Sequence, residues 1–178
     1  MRSVYLCILF LLIMGCKSGK INSLLEKLDK KNISVLTNCF DNAECTIEII
    51  PHSNLMIKED EFKNTYIEIE NGVNTIIKYQ FKKNELPNTA DSQYSEFLYL
   101  EIDNYNKKIH LKNEELQQVK MIYGKLCYCK GSSGFFKVKN GDLELTLSKN
   151  KLSLVTNFNV ENIQQMVSQL NENILLKK

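Results

Sequence analysis

Between residues 33 and 158 the chain is a succession of short β-branched and aromatic runs separated by turn signals. No long helical stretch intervenes. That pattern excludes a parallel doubly wound sheet, which needs a helix between consecutive strands, and points to antiparallel neighbours joined by short connections. Ile33 to Thr37 and Cys45 to Ile50 are β-branched runs flanking a polar turn around Asp41-Asn42. Tyr66 to Glu70 alternates apolar and polar, Asn71-Gly72 supplies the two residues of a type I′ turn, and Val73, Thr75, Ile77, Tyr79 and Phe81 alternate onward. The reading is a hairpin over 66–81. Residues 84–93 form a polar loop, and Tyr94 to Ile102 is apolar on both parities, as a central strand should be. Leu126 to Lys130, Phe135 to Lys139, Leu143 to Ser148 and Leu152 to Phe158 then read as a meander. Its turns are Gly131-Ser132-Ser133-Gly134, Asn140-Gly141 and Lys149-Asn150.

Helical spacing appears at the two ends. Ile21, Leu24, Leu25 and Leu28 predict an amphipathic helix over about 21–30. Val160, Ile163, Val167, Leu170 and Ile174 step by three and four, with Asn159 placed as N-cap, and predict a C-terminal helix. Asn113 begins a segment that suits either a short helix through Leu116 and Val119 to Gly124 or a strand from Val119. The expected fold is mainly β (α+β): an antiparallel barrel or sandwich meander of about nine strands, with a helix at each end. With 178 residues, 43% hydrophobic and 25% charged, the composition is that of one globular domain, here residues 21–178.

The first sixteen residues address the chain to a compartment. Met1-Arg2-Ser3 is a short positive segment, and Val4 to Met14 is an apolar run of eleven residues. A transmembrane helix needs about 20. Gly15-Cys16 closes the run, and Lys17-Ser18-Gly19-Lys20 turns polar at once, which is the layout of a secretory signal peptide over 1–15. Leu12-Ile13-Met14-Gly15-Cys16 resembles the lipobox of bacterial lipoproteins, with an aliphatic residue three before the cysteine and a small one directly before it. The resemblance implies diacylglycerol transfer to the Cys16 thiol, cleavage between Gly15 and Cys16, and acylation of the new amino terminus. Residues 16–20 would then be a lipidated tether, leaving 163 residues after cleavage. Lys17 in place of an aspartate, in a chain similar to those of double-membraned bacteria, implies the outer membrane. Surface-exported lipoproteins of the Bacteroidota carry acids just after the anchor; the Lys-Ser-Gly-Lys stretch implies a periplasmic face.

Cys7 leaves with such a leader and Cys16 takes the lipid, so Cys39, Cys45, Cys127 and Cys129 remain. In an exported chain these four are disulfide candidates. Local pairing closes Cys39 to Cys45 across a turn-rich segment. It also closes Cys127 to Cys129, which lie next but one on a predicted strand with both side chains on one face and α-carbons near the long end of the usual range. Crossed pairing between the two sites, or free or metal-bound thiols serving redox or metal chemistry, are the alternatives. No metal site is expected, since Cys-x-Cys is not the spacing of common zinc knuckles.

Other chemistry lacks a motif. His52 follows Pro51 in a predicted loop and His110 lies on a short strand; neither has a partner beside it in sequence. Gly-x-Ser-x-Gly, Gly-x-Gly-x-x-Gly and the phosphate-binding P-loop are missing from the sequence, so no cofactor is implied. Glu59-Asp60-Glu61 reads as a solvated turn. The single arginine is Arg2, so the chain beyond the leader has 22 lysines against 21 acids. With no guanidinium to fork onto phosphates or guanine edges, nucleic acid is not an expected partner. The reading is a lipid-anchored envelope protein, a non-enzymatic binding or scaffolding module. Its alternatives are a carrier of an apolar ligand inside a barrel, or a thiol-redox or metal protein using Cys127 and Cys129.

Overall fold

The computed structural model describes residues 33–37, 39, 42–89, 91–103, 108–148 and 151–175. Expectations for the leader, for Cys16 and the tether, and for the helix over 21–30 fall outside these residues. The elements are β1 (Ile33–Leu36), β2 (Ala43–Glu59), β3 (Thr65–Lys83), β4 (Tyr94–Ile102), β5 (Lys108–Lys112), a 3-10 helix (Asn113–Val119), β6 (Ile122–Cys127), β7 (Gly134–Lys137), β8 (Asn140–Ser148), β9 (Lys151–Asn159) and β10 (Gln169–Leu175). Among the described residues all strand pairs are antiparallel. One sheet runs β1-β2-β3-β4-β6-β7 and the other β10-β9-β8-β5. They face each other as an open sandwich, not a closed barrel.

Period-two alternation fills the space between the sheets. Ile47 and Ile49 of β2, Ile77 and Phe81 of β3, and Leu98, Leu100 and Ile102 of β4 turn inward against Leu143, Leu145, Leu152 and Leu154. These side chains are at most 1% exposed. Each stabilises the fold by roughly 1.5–3 kcal/mol through burial alone. β4 spans the residues its two-sided apolar pattern predicts, and it lies between β3 and β6.

The expected hairpin over 66–81 is overturned. Residues 71 and 72 lie inside β3, and the chain reverses instead at residues 60–64. There Asp60 Oδ1 accepts the Phe62 and Asn64 amides at 2.9 and 2.8 Å, while Lys63 takes φ 64°. The side chain of Asp60 thus builds the turn that Asn71-Gly72 was expected to make. The register shows what Gly72 does. Pro51 pairs with Thr75 and Ser53 with Asn71, so Gly72, Val73 and Asn74 face the single residue His52 across a bulge. A Cβ on Gly72 would lie 2.1 Å from the Asn54 side chain, so the position requires close approach. His52, expected in a loop, is the opposing residue of that bulge, with φ 52°.

The bulge redirects the ribbon. Ile49 faces the inter-sheet core, but Leu55, of the same parity, belongs to a second apolar cluster with Ile76, Tyr99 and Ile122. These three alternate with inward-facing neighbours and so lie on the outer face of the first sheet. Ile57, Ile67, Phe97 and Phe135 pack against them. Residues 53–71 are therefore an arm folded over the outside of its own sheet.

The C-terminal helix is also overturned. Residues 160–168 bend without forming a helix, and β10 pairs along β9 from Gln169↔Asn157 to Leu175↔Lys151. Leu170 and Ile174, four apart, share a face in either geometry, so helical spacing did not discriminate. An open edge on β9 and side-chain partners for the bend decide the outcome. Gln165 Oε1 accepts the Val160 amide at 2.7 Å, and its Nε2 donates to the Val167 carbonyl at 3.1 Å. Asn140-Gly141, expected as a turn, opens β8 instead, with Gly141 at φ 149° and the Asn157 carbonyl 2.3 Å from where a Cβ would stand. The segment after Asn113 is a 3-10 helix followed by a strand; Lys112 is its N-cap, and Asn113 Oδ1 accepts the Gly141 amide.

Candidate functional site

A half-buried sulfur pair lies at the end of β6. The structure joins Cys127 to Cys129 and Cys39 to Cys45, so the pairing is local at both sites. The predicted strand over 126–130 stops at Cys127. Two residues of an extended strand span about 6.6 Å, whereas the Cys127 and Cys129 α-carbons are 5.1 Å apart, because the chain curls there. The Ser132 amide donates to the Cys129 carbonyl at 3.2 Å, Gly131 takes φ 74°, and the Ser133 hydroxyl donates to the Lys125 carbonyl at 3.1 Å. The Gly-Ser-Ser-Gly stretch is thus the turn that returns the chain into β7. Tyr128, between the cysteines, is 85% exposed and Leu126 47%. Cys127 lines an open depression of about 410 Å³ together with Gln93, Ser95 and Tyr128.

The other bridge is internal at one end only, since Cys39 is half-buried. Cys45 is 1% exposed within the main core, and the Tyr79 hydroxyl donates to its sulfur at 3.0 Å. Burial pushes the Tyr79 phenol up to about 12, helped by the Glu172 and Glu96 charges.

Two charged pairs escaped the sequence analysis. Glu96 on β4 faces Lys125 on β6 in register, and the two are 1% and 4% exposed. The Glu96 carboxylate accepts the Met166 and Val167 amides at 2.7 and 2.8 Å, and the Tyr94 hydroxyl donates to it. Lys125 Nζ donates to the Gln164 carbonyl at 2.8 Å and sits 5.4 Å from the Tyr94 ring centre. Together they tie the 160–168 bend to the first sheet. Desolvation and the Glu96 charge push the Tyr94 and Tyr123 phenols far up. A signal existed: Glu96 sits on the core parity of an otherwise apolar strand, alongside Leu98 and Leu100. Its partners some 70 residues later left none.

Glu101 and Lys120 clasp the arm. Glu101 Oε2 accepts the Leu55 amide at 2.5 Å and Lys120 Nζ at 2.9 Å, and Lys120 also donates to the Leu55 carbonyl at 2.8 Å. Asn74 Nδ2 donates to the other Glu101 oxygen at 3.0 Å, beside the bulge.

His110 does have partners, supplied by β8. Its Nε2 lies 3.3 Å from Asp142 Oδ2 and 3.9 Å from Glu144 Oε1, and Lys112 Nζ lies 3.3 Å from the same Asp142 oxygen. His110 and Lys112 hold the Asp142 carboxyl below its usual range. These groups sit on the solvent side of the second sheet and satisfy one another, which is the behaviour of a surface ion cluster. His52 and the Glu59-Asp60-Glu61 turn come into none of these clusters. Compared with protein families, curated proteins and solved structures, the chain matches none.

Proposed function

We propose that this chain is a lipoprotein of the bacterial cell envelope, lipid-anchored through Cys16 after cleavage at Gly15-Cys16. Its sandwich is a non-enzymatic binding or scaffolding module, held at the outer membrane on the periplasmic side. The observation that carries the reading is Leu12-Ile13-Met14-Gly15-Cys16 at the end of an eleven-residue apolar run. Two or more acyl chains give a firm anchor, since each buried methylene contributes about 0.8 kcal/mol. The filled space between the sheets supports binding at the outer surface in preference to carriage of an apolar ligand within. Closed bridges at Cys39–Cys45 and Cys127–Cys129 agree with an oxidising compartment.

The test is fractionation of cells producing the chain or its Cys16→Ser variant, fed a labelled fatty acid. The reading expects label and membrane sedimentation for the parent, and loss of both for the variant. Protease added to intact cells should leave the parent uncut until the outer membrane is opened. A labelled, membrane-bound Cys16→Ser product would refute the anchor, and cleavage in intact cells would refute the periplasmic face.

A further inference from the structure

We infer that the Cys127–Cys129 bridge is a thiol-exchange site that oxidises a cysteine pair of a partner protein. It adds to the binding-module reading one stoichiometric exchange that consumes the bridge, and it does not depend on the anchor. The two bridges of the molecule differ in the properties that govern exchange. Cys45 is 1% exposed and its sulfur accepts a hydrogen bond from the buried Tyr79 hydroxyl, so no external thiolate reaches that sulfur without opening the core. Half-buried Cys39 is the one point of attack there, whereas Cys127 and Cys129 are both half-buried. Cys127 borders an open depression at the tip between β6 and β7, with the exposed Tyr128 and Leu126 at its rim. Access is the first requirement for attack on a disulfide.

Loop size is the second difference. Cys39 and Cys45 are six positions apart, Cys127 and Cys129 two. The restriction a bridge places on the unfolded chain shrinks with the loop it closes, so opening Cys127–Cys129 forfeits the least folding free energy. The flanking structure also survives opening. Ser132, Ser133 and Lys125 hold the turn through hydrogen bonds that use neither sulfur.

The exchange runs as follows. A partner thiolate attacks Cys127 Sγ; the Cys127–Cys129 bond breaks, a bond forms between Cys127 and the partner, and the electron pair leaves on Cys129 as a thiolate. The partner's second thiolate then attacks its own first sulfur and releases Cys127 as a thiolate. The partner departs as a disulfide, and two electrons have passed to Cys127 and Cys129.

Two measurements on the detergent-extracted full chain test this. In the first, the protein is equilibrated at pH 7 with graded mixtures of reduced and oxidised dithiothreitol, and free thiols are trapped by alkylation and located by peptide mass. Cys127 and Cys129 should become half-alkylated at a reduced-to-oxidised ratio at least tenfold lower than Cys39 and Cys45. In the second, a synthetic peptide carrying a Cys-Gly-Pro-Cys dithiol is incubated without oxygen. The parent should oxidise it at least tenfold faster than a Cys127→Ser/Cys129→Ser variant whose circular dichroism matches the parent. Joint reduction of the two bridges overturns the proposal, as do equal peptide oxidation rates. Selective reduction without peptide oxidation overturns it too, leaving a labile surface bridge with no exchange activity.

Discussion

At Glu96 a carboxylate 1% exposed accepts two backbone amides that would otherwise have no partner in the 160–168 bend. Removing such an acceptor leaves each amide paying its desolvation cost, about 1–3 kcal/mol. Glu96→Ala should therefore lower stability to urea by about 3 kcal/mol, while the exposed Glu85→Ala should stay within about 0.5 kcal/mol. A loss below about 1 kcal/mol at Glu96 would mean the bend is held by other contacts. Gly72 makes a separable case. Because a Cβ there meets the Asn54 side chain, Gly72→Ala should cost about 1–3 kcal/mol, and adding Asn54→Ala should restore most of it. If the glycine served a positive-φ turn, trimming Asn54 would restore nothing. Sequence reading located Gly72 as a special position but gave it the wrong reason. Asn-Gly is a strong local turn signal, and the competing contact comes from a strand position 18 residues earlier.

The arm and the C-terminal strand show what periodicity resolves among elements. Tyr94 to Ile102 was legible as a central strand because both of its parities are apolar, and it is covered by the second sheet on one face and the arm on the other. The arm was not legible. Its Leu55-Met56-Ile57 run, between Asn54 and Lys58, marks neither face as the buried one, and only the bulge at His52 decides which surface it covers. Leu170 and Ile174 were ambiguous for the opposite reason, since a spacing of four suits a helix and a strand alike. Arm placement depends on the Glu101–Lys120 clasp at Leu55. Lys120→Met should speed amide exchange across residues 53–59 and 65–71 about tenfold, the equivalent of about 1.4 kcal/mol of local opening, while β8 and β9 keep their protection. Uniform acceleration throughout the sheets would instead show that the arm and the sandwich open as one unit.

For the whole molecule, burial of phenols sets a limit at alkaline pH. Tyr79 and Tyr99 are pushed up from 10 to about 12, chiefly by desolvation, and Tyr94 and Tyr123 further still. A group whose folded pKa is raised contributes stability that is complete below its unfolded pKa and is lost as pH rises toward the folded one. Urea stability should accordingly hold up to pH 10 and fall between pH 10 and 12, with late phenolate absorbance appearing together with loss of the circular dichroism of the sheets. A single phenolate transition of all the tyrosines with its midpoint at pH 10 in a still-folded protein would contradict the burial of these four rings.

The sandwich, its filled interior and its two local bridges together suit a self-sufficient domain displayed on a lipid tether, and Cys16 is the residue on which that account turns. The decisive measurement is the intact mass of the membrane-extracted protein, alkylated with and without prior reduction. The account predicts a chain beginning at Cys16, heavier than its sequence by its acyl groups, that gains no alkyl groups before reduction and four after it. A chain retaining residues 1–15, or one beginning at Cys16 without added acyl mass, would contradict it.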